Sequence, residues 1–402
     1  NRDRLDGRQQ YILGRMRELG YISAQEYKEA LAEDVVFVVR EDKGIKAPHF
    51  VFHVIEYLET QYGAEVVEKG GLRVTTTLDW ALQQDLEEVT RQYAKQLPQF
   101  KASNLATVAI EARTGKIIGM VGSKGYFDEE IDGKFNIATA FRQPGSTFKP
   151  FVYTAALENG ARPCDYISNE RIIYEDYQDW SPKNSGGIDT EGKYSIAGAL
   201  ANSINTVSVK LCMDAGIKNV INLAHQLGLV EKFPEVPSIA LGVVETSLIK
   251  MVGAYTAFAN HGCVQEARLI LTNAQTPCEQ IMPESVAKDM SEMLETVTQK
   301  GGTGTRAKVE GYRVGGKTGT SHKVGKEGYQ DSEYTAIFAG IAPISDPRFV
   351  LVVVIDQPQG QEYYGGEVAA PVFGRIMEEA MRTLQIAPDQ SKDFHVAEIS
   401  TL

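Results

Sequence analysis

The stretch RQPGSTFKPF, Arg142 to Phe151, sets a serine three residues ahead of a lysine and brackets the pair with prolines and a glycine. On a helix, positions i and i+3 share a face, so Lys149 could reach the Ser146 hydroxyl and take its proton. Pro144 and Gly145 would set Ser146 at the helix start, where free N–H groups and the positive dipole end favour a developing oxyanion. Pro150 tightens that placement, because proline fits a helix only near its first turn. The spacing alone is weak, since Ser247 with Lys250 and Ser285 with Lys288 repeat it.

Two further elements separate the three pairs. Ser203-Ile204-Asn205 is the one SxN of the chain and Lys317-Thr318-Gly319-Thr320 the one KTG, and they follow Ser146 in that order. A lysine with an ordinary pKa of about 10.4 is no base until desolvation or a neighbouring cation removes its proton, and Lys317 could be that cation. Ser203 would relay protons between Lys149 and a leaving nitrogen, and Asn205 would hold a backbone amide of the substrate. Gly319 would let a strand approach an extended peptide closely. The hydroxyls of Thr318 and Thr320 would bind a terminal carboxylate, and the backbone N–H groups of Ser146 and Thr320 would form an oxyanion hole. Taken alone, Ser203 and Asn205 could as well cap the helix VSVKLCM.

The chain has 402 residues, 43% apolar, enough for a substantial core in one large domain with an appendage or in two. Its net charge of -12 argues against a nucleic-acid backbone or an anionic membrane surface as main partner. The longest purely apolar run, Phe349 to Ile355, is far short of the roughly 20 residues a membrane helix needs. His49 and His53 stand at i and i+4 but in no HExxH frame, so they read as partly exposed helix residues. Cys164, Cys212, Cys263 and Cys278 show no CxxC or Cys/His spacing, and no metal or cofactor is expected. Scattered structural thiols are the expected reading, with a Cys263–Cys278 bridge open in an oxidising compartment.

Along the chain, GRQQYILGRMRELG reads as a helix ending on Gly20, and Ser23 with Glu26 as the capping box of a second. VVFVV and LRVTTTL read as strands around the helix HFVFHVIEYLETQYG, and Asp79 as the cap of WALQQDLEEVTRQYAKQL. TVAIEARTGKIIGMVGS is a hairpin about Thr114-Gly115. Residues from Gly145 to about Thr298 are mostly helical, and VGGKTGTS, YTAIFAGIAP and FVLVVVIDQP return as strands before the closing helix PVFGRIMEEAMRTLQI. GGTGT, Gly301 to Thr305, lacks a phosphate-loop ending and reads as a flexible connector, and His322 as a loop histidine. Tyr363 and Tyr364 fit either a site wall or a turn. The fold expected is α/β (α+β): one antiparallel sheet built from both ends of the main domain and flanked by helices, with an inserted helical subdomain and a small N-terminal α/β appendage.

GSTFK, SIN and KTGTS in this order resemble the active-site set of penicillin-binding proteins, the D,D-transpeptidases that cross-link peptidoglycan. RQPGSTFKPFVYTAALE, WSPKNSGG, ALANSINTVSVKL, PSIALGVVETSLIKMVGAYTAFANHG and GGLRVTTTLDWALQ resemble the bifunctional class A members. YILGRMRELGYISAQEY looks like the tail of their glycosyltransferase domain, whose catalytic glutamate region is absent, so that activity is not carried over. From about Pro283 onward the chain resembles the class B, division-type enzymes. Such a mixture would arise from a natural mosaic, an engineered chimera or a missing segment near Cys263. The resemblance implies a glycosyltransferase-like remnant at 1–40, a linker region at 41–100, a transpeptidase domain at 101–390 and a tail at 391–402. It implies a serine acyl-enzyme on Ser146 with Lys149, Ser203, Asn205 and Lys317, stem peptides ending in D-Ala-D-Ala as donors, an acceptor amine, and acylation by β-lactam antibiotics. Cell-wall synthesis or division proteins are implied partners, and the extracytoplasmic face of the envelope the location, with an anchoring helix upstream. A D,D-carboxypeptidase or serine β-lactamase on the same fold, and an inactive cell-wall scaffold, are the competing readings.

Overall fold

A computed structural model describes residues 2–33, 44–188, 191–272, 278–325 and 328–390. Five strands form an antiparallel sheet: β1 (Asn104–Glu111), β2 (Ile117–Val121), β3 (Gly315–Gly325), β4 (Gly328–Ala342) and β5 (Phe349–Asp356), in the order β2-β1-β5-β4-β3. The first and last thirds of the main domain thus build one sheet. Every residue of β5 is buried, which a strand achieves only when both of its faces are covered. Its alternate side chains enter two cores. Val350, Val352 and Val354 pack with Phe148, Phe151 and Tyr255 on one face, while Leu351, Val353 and Ile355 pack with Leu82, Leu86 and Phe373 on the other.

The helical segment between β2 and β3 supplies the first of those cores. Its main helices are α1 (Lys149–Glu158), α2 (Ile196–Ala201), α3 (Asn205–Ala215), α4 (Leu248–Ala259) and α5 (Glu284–Thr298). The second core is closed by the helix Trp80–Ala94, capped by Asp79 as expected, and by α6 (Ala370–Thr383). The antiparallel sheet, the flanking helices and the inserted helical layer all agree with the sequence reading. The chain divides into two units, Asn1–Lys46 and Ala47–Leu402. The first contains the helices Arg2–Glu18 and Ala24–Ala32, the second of them carrying the Ser23–Glu26 capping box.

Several details differ from expectation. LRVTTTL forms no strand; its one ladder pairing is the isolated bridge of Thr76 with Ile270, and the Thr77 hydroxyl donates to Ile117 O and Arg268 O beside it. VVFVV lies outside the described residues. His49 is buried rather than partly exposed, its Nε2 2.8 Å from the carbonyl of Gly133. Cys263 and Cys278 are disulfide-bonded, with Cα atoms 5.5 Å apart, whereas Cys164 and Cys212 remain free thiols. The bridge closes a loop of sequence separation 15. Within that loop Arg268 receives the Ile117 N–H, and Leu269 receives that of Thr77. A Cys278→Ser protein is therefore expected to lose about 3 kcal/mol of unfolding free energy by urea titration, the chain-entropy value for such a loop. An unchanged midpoint would show that the bridge constrains nothing.

Candidate active site

Ser146 lies in a 3₁₀ turn, Gly145–Phe148, that runs directly into α1, with Pro150 in the first turn of that helix. A 3₁₀ turn eclipses residues three apart, so Ser146 and Lys149 stand on one side. The turn is held from beneath: the Tyr255 hydroxyl donates to Thr147 O at 2.7 Å, and the Thr147 hydroxyl to Pro144 O at 2.7 Å. The half-buried Ser146 hydroxyl has no hydrogen bond among the described residues. The decoy pairs are resolved by their surroundings. Ser247 caps α4 and Lys250 pairs with Glu231, and Ser285 and Lys288 face solvent.

Lys149 is fully buried, and its ammonium donates to Ser203 O at 2.7 Å, Ser203 Oγ at 3.2 Å and Asn205 Oδ1 at 2.6 Å. Its contacts thus run to the SxN segment and not to Ser146. Ser203 has φ +56, the left-handed region that ordinary residues enter at a cost. That conformation turns both its carbonyl and its hydroxyl toward Lys149. Lys317, also fully buried, reaches the same hydroxyl from β3 at 3.0 Å and donates as well to the carbonyl and hydroxyl of Thr318. The Ser203 oxygen accepts from both lysines, and a hydroxyl with two lone pairs so filled keeps its own proton to give away. Asn205 opens α3 rather than capping it; the N-cap is Ile204, which offers no side-chain bond.

Neither lysine meets a carboxylate in these hydrogen bonds. Burial drives the Lys149 pKa well below the ordinary lysine value, and the charge of Lys317 drives it down further. Burial brings Lys317 to about 7. Both shifts move the lysines toward the neutral amine, the form in which Lys149 could accept a proton.

The KTG strand is the sheet edge, so one side of its backbone is open to an added strand. Gly319 has a structural use besides the one expected of it. A Cβ there would stand 2.4 Å from Pro144 O and 2.9 Å from Thr147 Cγ2, so the missing side chain makes room for the Gly145–Phe148 turn. Gly145, with φ +53, is the reciprocal position: its Cβ would lie 3.0 Å from Thr320 O. These two contacts set the backbones of Ser146 and Thr320 side by side. Both threonine hydroxyls are already held, Thr318 by Thr303 at 2.9 Å and Thr320 by the Gly365 N–H at 3.0 Å.

Three contributors escaped the sequence reading. Thr303, within the expected connector, is held on both sides: its N–H donates to Ala201 O at 3.0 Å and its hydroxyl meets Thr318, so it ties α2 to the KTG strand. Asn184 and Tyr255 also support the site, the former through α3. His322, Tyr334, Tyr363 and Tyr364 form a run of neighbouring rings with centroids 4.3 to 4.7 Å apart beyond Thr320. Among the described residues no cluster of three or more His, Cys, Asp or Glu could hold a metal.

A half-buried serine with no hydrogen bond among the described residues, a fully buried lysine three residues on, a hydroxyl bridging two lysines and an open strand edge make up a site suited to serine acyl transfer. The chain belongs to the penicillin-binding protein transpeptidase domain family, whose model matches residues 105–378. It is 32% identical over 320 residues to the peptidoglycan D,D-transpeptidase FtsI of Escherichia coli, covering 72% of this chain and 53% of that protein. It is 29% identical over 362 residues to the probable peptidoglycan D,D-transpeptidase PenA of Neisseria meningitidis, covering 83% and 60%. The chain thus spans little more than half the length of these relatives. The transpeptidase domain of penicillin-binding protein 3 from Burkholderia pseudomallei, in its apo structure, superposes with a TM-score of 0.68 at 25% identity, covering 79% of this chain and 98% of that one.

Proposed function

We propose that the protein is a peptidoglycan D,D-transpeptidase. Lys149 takes the Ser146 proton as the oxygen attacks the D-Ala-D-Ala amide, and the Ser146 and Thr320 N–H groups receive the oxyanion. Ser203 passes a proton to the departing D-Ala nitrogen and is reprotonated through the lysines it touches. Thr318, Thr320 and Lys317 hold the terminal carboxylate, and Asn205 holds the donor backbone along the edge strand. An amine of a neighbouring stem then resolves the ester. The observation that carries this reading is the convergence of two buried lysines on the Ser203 hydroxyl, one of them, Lys149, a single turn along from Ser146.

β-Lactams would acylate Ser146 and stay. Chromogenic cephalosporin is expected to give a burst stoichiometric with protein that then stops, absent from Ser146→Ala. Sustained fast turnover would instead identify a β-lactamase, and no burst at all an inactive scaffold. The absence of any carboxylate from the lysines' hydrogen bonds favours slow deacylation.

The disulfide supports an oxidising, extracytoplasmic location. No helix among the described residues is long and apolar enough to cross a membrane, and an upstream anchor is part of the proposal. So are division or cell-wall synthesis partners, a glycosyltransferase-like origin for residues 1–40, a linker at 41–100, a transpeptidase domain at 101–390 and a tail at 391–402. The composite class A and class B character rests on the segments quoted above.

A further inference from the structure

The helix that begins at Asn205 has no cap of its own, because Ile204 carries no acceptor. The cap arrives from a distant loop. Asn184 Oδ1 accepts the N–H groups of Asn205 at 2.9 Å and Thr206 at 3.2 Å, taking up two donors that a helix N-terminus otherwise leaves unsatisfied. The preceding residue holds the side chain of the same asparagine: Lys183 O accepts from Asn205 Nδ2 at 2.7 Å. With Lys149 donating to Oδ1 at 2.6 Å, the carboxamide of Asn205 is fixed at both ends. An amide nitrogen has two protons, so one N–H of Asn205 stays available in a set direction.

The aim of Asn184 is fixed in its turn. Its Nδ2 donates to Asn169 Oδ1 at 3.0 Å, and Asn169 is completely buried. A line of polar contacts therefore runs from the interior, through the exposed loop, to the side chain that faces the reacting centre.

We propose that Lys183-Asn184 is a specificity clamp. Asn184 is a positioning residue that orients Asn205, so that its remaining N–H meets the acylamino carbonyl of the donor. This rests on the transpeptidase reading above, in which Asn205 binds the donor backbone. The clamp makes a separable demand: it matters for acyl donors that carry such a carbonyl and little for those that lack it.

Benzylpenicillin has the acylamino carbonyl and 6-aminopenicillanic acid does not, and both can be measured by competition with a fluorescent penicillin. In Asn184→Leu, the acylation rate constant for benzylpenicillin is expected to fall on the order of tenfold or more, with that for 6-aminopenicillanic acid falling less than about threefold. Asn184→Asp keeps the acceptor for the helix N–H groups and should recover most of the benzylpenicillin rate. In an Asn205→Ala background, Asn184→Leu should leave the ratio of the two rates unchanged. Equal losses for the two compounds, or no loss, overturns the clamp. If Asn184→Leu does not fold, judged by its thermal transition, Asn184→Ala is read by the same ratio; failure of both to fold also overturns it, because Asn184 would then serve folding. Absence of penicillin labelling in the parent protein refutes the transpeptidase reading itself, a result distinct from labelling with an unchanged ratio.

Discussion

A protein carrying Lys149→Met is expected to acylate with a fluorescent penicillin on the order of 10²–10⁴ times more slowly than its parent, the range that a positioned general base contributes. Ser146 would be untouched, so the loss isolates proton abstraction. The expectation follows from where Lys149 sits. Its ammonium is sealed from water, beside a second lysine and with only neutral oxygens as acceptors, and both burial and the Lys317 charge depress its pKa. A lysine so placed is already deprotonated at pH values where an ordinary one is charged. The parent's acylation should accordingly persist well below pH 10 and decline only on acidification, as the Lys149 amine takes up a proton. Methionine fills the cavity without introducing charge, so the fold should survive. Acylation of the variant within about threefold of the parent would remove Lys149 from the role of base.

The chemistry of this site was legible in the sequence because its parts are local motifs. Serine, lysine and asparagine at fixed short spacings keep their meaning wherever the chain carries them, and the late strands announced themselves by unbroken β-branched runs such as FVLVVVID. What escaped depends on which distant segments touch. The packing use of Gly319 is hidden in this way: nothing in its neighbourhood of sequence says that Pro144 O will stand 2.4 Å from its missing Cβ. Asn184 carries no local mark of its role within WSPKNSGG, although the isoleucine ahead of α3 does signal that a cap must come from elsewhere. LRVTTTL alternates like a strand, but alternation describes a side-chain surface, and a strand also needs a partner ladder. His49 was misjudged for the same reason: the segment that covers it follows β2, and its partner Gly133 lies 84 residues away in sequence.

Lys317→Met is expected to abolish carboxylate-dependent acylation and yet make the protein more stable. Held near pH 7 instead of the ordinary 10.5, the buried Lys317 amine costs the fold on the order of 5 kcal/mol when both folded and unfolded chains are protonated. Its hydrogen bonds to Ser203 and Thr318 return about 1 kcal/mol each, so the apolar variant should gain roughly 2 kcal/mol at pH 6. The sign of the pH dependence is fixed by which state holds more protons. Between about 7 and 10.5 the unfolded chain keeps the Lys317 proton and the folded one has released it, so the parent's stability rises with pH through that window. The variant's advantage should therefore be largest below pH 7, vanish about 1.5 pH units above that, and become a disadvantage of roughly 2 kcal/mol by pH 10. Urea titrations of both proteins at pH 6, 8 and 10 measure it directly. A gain that stays constant across the three would mean that Lys317 titrates normally, and a loss at pH 6 would mean that its hydrogen bonds outweigh its burial. Either result would undo the argument that this lysine is kept, at a cost in stability, for the charge it presents to a carboxylate and to Lys149.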